Sequence, residues 1–224
     1  MNHSEDIHQL LATKSSLKQR THRNTIEVFQ RMKKVLESIA KEQHDKIKGV
    51  DAYVPVSYQS RSQFEAQIQF SGDVLLLQQH TNTFTFPADH PIHNNSYVKT
   101  NPDHAYVGVI RIYNFLADSF KFARMNDMGY CIGRIFVNAE NQFFMDGMRP
   151  FSFLYEEYGK KELTDDVMKE ILEMAMKGAI YDELTVSPFE QEQYISIGAK
   201  ISQDGNILIA TSKRVGFPYT DATD

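Results

Sequence analysis

The residues best suited to chemistry in this chain fall into two groups, one of histidines and one of arginines. Four of the eight histidines, His80, His90, His93 and His104, lie within 25 residues, with Asp89 and Asp103 among them. Neutral imidazoles with a carboxylate, drawn from a loop and a strand end, could hold a divalent transition metal such as Zn, Fe or Mn, or perform acid–base chemistry. The spacing fits no specific signature: HExxH, paired CxxC and His-x-His followed closely by Glu are absent. The same His-Pro, Asn-Asn and Asn-Pro-Asp sequences are ordinary turn material, in which a histidine is a solvated loop residue.

The second group is Arg111, in VIRIYNF, and Arg134, in IGRIFV. A guanidinium inside an apolar strand must reach water or find an acceptor, because burying it unpaired is very costly. If both arginines share a face, they could grip a carboxylate or phosphate through paired N–H donors, with Tyr106, Tyr113 and Tyr130 along the walls. The competing reading is a half-solvated face on which each arginine pairs with Asp or Glu across the sheet. Alternation puts Val109, Arg111 and Tyr113 together, but register between strands is not readable from sequence.

Other chemistry finds little support. There is no GxSxG, no GxxxxGK[ST] and no GxGxxG opening a helix. The single cysteine, Cys131, excludes an intramolecular disulfide and reads as strand packing between Tyr130 and Ile132. The adjacent pairs Glu156-Glu157 and Asp165-Asp166 do not face each other on a helix and read as surface charge.

The elements that must position these residues centre on 105–147. Short runs rich in Val, Ile, Phe and Tyr are cut there by turn formers, which predicts antiparallel strands at 106–115, 119–125, 130–137 and 142–145. Lys121 and Arg124 fall on the second of these. The first and third runs are apolar in both phases, as central strands covered on both faces are. Gly108 and Gly133 mark bulges or close backbone approach.

Upstream, 52–58 is extended, and Pro55 confines it to a sheet edge. Phe64, Ala66, Ile68 and Phe70 alternate with Glu65, Gln67 and Gln69, then Ser71-Gly72-Asp73 turns the chain into a long strand over 74–86. Residues 87–104 form a long irregular loop, which in a compact domain points to function or disorder. Downstream, an aromatic connector spans 149–161 and Thr164 caps a helix reaching about residue 184, with Val167, Ile171, Met174, Ala175 and Ala179 as its stripe. A last hairpin over 194–211 turns at Asp204-Gly205.

Before all of these, 17–47 reads as one amphipathic helix. Ile26, Phe29, Met32, Leu36 and Ile39, widened by Val28 and Val35, face away from Arg31, Lys33, Lys34 and Lys41. The stripe either packs on the sheet or makes a helix-to-helix dimer contact. The expected class is α+β: a mainly antiparallel sheet of about seven or eight strands with a long N-terminal helix and one helix before the last hairpin. The expected organisation is a flexible lead-in at 1–16, a single domain at 17–212 and a loose tail at 213–224.

Charge is uneven. The net is -5, yet Lys14 to Lys48 carries ten basic and four acidic residues. A basic helix on an acidic body is not the pattern of a general nucleic-acid binder, and no helix-turn-helix or zinc module accompanies it. The acidic residues near the start do not fit a signal peptide, and no run has the ~18 apolar residues of a membrane span. Together with the lone cysteine this predicts a soluble, cytoplasmic protein with neither nucleic-acid nor membrane partners. The leading functional expectation is a non-catalytic module, regulatory or accessory, that binds a small anionic ligand or a protein partner. The alternatives are a metal-assisted or acid–base enzyme using the His80–His104 region, and an assembly protein that homodimerises through the N-terminal helix.

Overall fold

The alternating segments pair into one antiparallel meander in the computed structural model, which describes residues 3–148, 151, 158–186 and 188–198. Six strands lie side by side in chain order: β1 (Val56–Ser62), β2 (Glu65–Phe70), β3 (Asp73–Gln79), β4 (Gly108–Leu116), β5 (Tyr130–Val137) and β6 (Phe143–Gly147). A short helix α1 (His3–Leu10) runs through a π-helical turn into α2 (Ser16–Lys48), which crosses one face of this sheet. Helix α5 (Asp165–Tyr181) packs on the same side, capped by Thr164, whose hydroxyl accepts from the Val167 amide.

Period-2 alternation decides which side chains meet the helices. Ala66, Ile68, Leu75, Leu77, Ile110, Ile112, Ile135 and Met145 are buried with Phe29, Met32, Leu36 and Ile39 of α2 and Leu172 and Ala175 of α5. Each large apolar side chain buried this way contributes ~1.5–3 kcal/mol. The apolar stripe of α2 is thus enclosed within the chain, and of its expected members Ile26 and Val35 are half-buried. Gly108 lets α2 approach β4 closely, because a Cβ there would stand 2.0 Å from Thr25 Oγ1. Across the helix pair, Arg31 bonds Asp165 and the Leu163 carbonyl, and Glu42 accepts from Lys46 and Lys169.

The opposite sheet face is covered at one end by the excursion between β3 and β4. Far from being irregular, it holds a 3-10 turn at Pro91–Asn94, helix α3 (Ser96–Thr100) and a second 3-10 turn at Pro102–Ala105. Side chains of His90, Asn95 and Asn101 cap these pieces by accepting from amides two residues on. Ile92, Val98 and Ala105 then bury against Val109, Phe136, Phe144 and Tyr158, a second small core.

Several expectations need correction. Among the described residues the sheet has six strands, fewer than the seven or eight expected. The segment expected as a strand at 119–125 is instead a short helix α4 (Ala117–Lys121) and a turn, with Phe120 packed edge-on to Phe115. The long strand expected to 86 ends at Gln79, and beyond it Phe84 makes one isolated bridge to Val107. The lead-in is helical from His3, although none of α1 is buried. A four-residue helix α6 (Phe189–Glu192) follows α5. Nearly all of the hairpin expected at 194–211, and the whole tail at 213–224, lie outside the described residues.

Candidate functional site

Strand register builds the site. Across the sheet, Glu65 pairs with Gln78, Gln78 with Arg111, Arg111 with Arg134, and Arg134 with Asp146. The five side chains form one row on the face away from α2. The neighbouring row runs Gln67, Leu76, Tyr113, Cys131. Between the rows β5 carries a bulge at Ile132, which is skipped as Ile112 pairs with Gly133 and Tyr113 with Cys131. The extra residue keeps Tyr113 and Cys131 beside the arginines.

A concavity of about 660 Å³ opens here, lined by Arg111, Tyr113, Cys131, Gly133, Arg134, Asp146 and Gly147. Its two cations differ in their partners. Arg134 donates from Nε to Asp146 Oδ1 at 2.8 Å and from its terminal nitrogen to Asp146 Oδ2, a two-pronged pair, and lies over the Phe136 ring. Arg111 is half-buried and, among the described residues, has no hydrogen-bond or ion-pair partner. Two guanidiniums directly opposite on adjacent strands repel each other, so this pairing costs stability unless an anion lies between them.

The surroundings respond to these charges. Burial lowers the pKa of His80, and the positive charge of Arg111 lowers it further. Burial raises the Cys131 thiol, against a Gly133 backbone hydrogen bond and the charges of the two arginines, which lower it. Chemically, the row offers one guanidinium able to take a carboxylate or phosphate and one already committed to an aspartate.

Of the residues singled out in the sequence, Arg111, Tyr113 and Arg134 come together. Tyr106 does not join them: it ends the second 3-10 turn before β4 and is not part of the lining. Tyr130 points to the helix side, where its hydroxyl donates to Asp182 and accepts from Asn114. The histidines do not converge. His80 Nδ1 accepts from the Asn82 amide and His90 Nδ1 from the Ile92 amide, while His93 Nε2 donates to the Pro87 carbonyl. Asp89 and Asp103 are exposed. Among the described residues, no group of three or more His, Cys, Asp or Glu side chains gathers as a metal site.

His104 belongs to a different cluster that sequence reasoning missed. Its Nδ1 donates to the Tyr97 carbonyl at 2.8 Å, its ring stacks on Tyr97 at 3.7 Å, and Nε2 lies 3.4 Å from Glu140. Tyr97 in turn donates to Glu140 and accepts from Asn138, and Tyr158 donates to the His104 carbonyl. These groups satisfy one another and clasp the excursion onto the turn between β5 and β6. Asp146 and Gly147 were also missed, although an Asp-Gly at a strand end beside Arg-bearing strands was the available signal. The chain matches no known family model, no curated protein and no solved structure.

Proposed function

We propose that this protein is a non-catalytic binding module whose ligand carries an anionic group, held on the open sheet face by Arg111. The observation that carries this reading is the direct opposition of Arg111 and Arg134, of which Arg134 pairs with Asp146 while Arg111 has no partner among the described residues. A concavity of about 660 Å³ around them is of the size small organic ligands occupy. The reading also accounts for an arrangement that is unfavourable by itself, since an anion on Arg111 offsets the repulsion that Arg111 meets from the facing guanidinium. The enzyme and assembly alternatives have no comparable support. The histidines are engaged in turn and loop contacts, and the apolar stripe of α2 is enclosed in the core.

A dye-based thermal-shift screen of small carboxylates and phosphates, run on the wild type and on Arg111→Gln, tests the proposal. Ligands should raise the melting temperature of the wild type and lose that effect in the variant. Equal shifts in both proteins would contradict it.

A further inference from the structure

Resting on the anion-binding reading, we infer that Asp146 sets the charge this site accepts, so that its ligand is an organic monocarboxylate and phosphate monoesters are turned away. Asp146 stands directly across from Arg134 in the strand register, so the pair forms without either side chain reaching. Its side chain is 17% exposed, whereas that of Arg134 is 49% exposed. A ligand that drew Arg134 away would strand a largely buried carboxylate, which is costly.

The pair therefore stays closed and contributes no net charge to the concavity. Among the described residues that line it, Arg111 supplies the remaining positive charge. A carboxylate matches it with one negative charge and two acceptor oxygens, the geometry a guanidinium fork takes in pairs. A dianionic phosphate would leave one charge uncompensated close to the Asp146 carboxylate, and the two like charges repel. Beside Arg111, Tyr113 and Cys131 offer ring and thiol surface on which the body of an organic acid can lie.

Benzoate and phenyl phosphate share a ring and differ in charge, and they serve as probes by calorimetric titration at a pH where phenyl phosphate is a dianion. Wild-type protein should bind benzoate ~10-fold more tightly than phenyl phosphate. Asp146→Asn frees a second positive charge and should reverse that order. The double variant Arg134→Gln, Asp146→Asn again leaves Arg111 alone and should restore the benzoate preference. Circular-dichroism melts establish that each variant is folded, and the wild-type preference can be read without any variant. If phenyl phosphate binds the wild type as well as benzoate does, or Asp146→Asn leaves the ratio unchanged, while Arg111→Gln abolishes binding of both, charge selection is wrong and the anion site stands. If neither probe binds the wild type, both readings fall.

Discussion

Arg111 and Arg134 face each other across β4 and β5, with Gln78 on the outer flank of the first and Asp146 on the outer flank of the second. The asymmetry of those flanks is what makes Arg111 available. A structural sheet face would place carboxylates beside both arginines, whereas here Arg111 has a neutral amide neighbour.

The like-charge opposition has a measurable cost. Without ligand, Arg111→Gln should stabilise the protein by ~0.2–1 kcal/mol, the size of a cross-strand pair effect. Urea unfolding curves check this; a clear loss of stability would mean that Arg111 is held by structural partners instead.

His80 reports on the same charge. Burial and Arg111 both hold its pKa below the ordinary 6.5, burial being the larger cause. In Arg111→Gln the value should move part of the way back up, as read from imidazole proton shifts during a pH titration. The sign for stability follows. The folded form disfavours protonated His80, so its contribution is complete above pH 6.5 and is lost as pH falls through the depressed folded value. Removing Arg111 should make that loss smaller.

Close contact between helix and sheet depends on Gly108. A Cβ there would meet Thr25 Oγ1 at 2.0 Å and Thr25 Cβ at 2.7 Å, so no rotamer of the threonine relieves the clash. Gly108→Ala should therefore cost about 1–3 kcal/mol, as overpacking of a closed core does. Chemical denaturation measures it, and an unchanged midpoint would show that α2 can shift freely.

Glu42 joins α2 to α5 through Lys46 and Lys169, whose hydrogen bonds and charges hold its carboxyl at about 2, below the ordinary 4.5. The resulting stabilisation is complete above pH 4.5 and disappears as pH falls through about 2. Glu42→Gln should melt below the wild type at neutral pH, and the two melting curves should converge as acid is added. A gap that persists to the acid end would assign the effect to packing.

Where one periodicity ran long enough, the chain was readable. The α2 stripe, the β2–β3 hairpin turning at Ser71-Gly72 and the Thr164 cap each follow from local pattern, and the structure has them. Short patterns misled. Ser119, Phe120, Lys121 and Phe122 alternate like a strand, but four residues of alternation do not outweigh a helical turn that seats Phe120 against Phe115 and beneath the Arg61 guanidinium. In the excursion, His90, Asn95 and Asn101 were visible as turn residues, yet their spacing as successive caps was not recognised. For the site, the sequence supplied Arg111, Tyr113 and Arg134 but not their alignment, because the bulge at Ile132 is a property of paired strands. Asp146 reaches Arg134 through the β5–β6 register, which the Asp-Gly sequence by itself does not specify.

The most direct test of the account follows the side-chain Nε–H signals of the two arginines by nuclear magnetic resonance during a benzoate titration. Anion binding at Arg111 should give a saturable shift of the Arg111 signal, a smaller one at Arg134 because its Asp146 pair persists, and loss of the response in Arg111→Gln. A wild-type titration that leaves Arg111 unmoved, or one whose largest shifts fall on the α2–α5 side of the sheet, would contradict it.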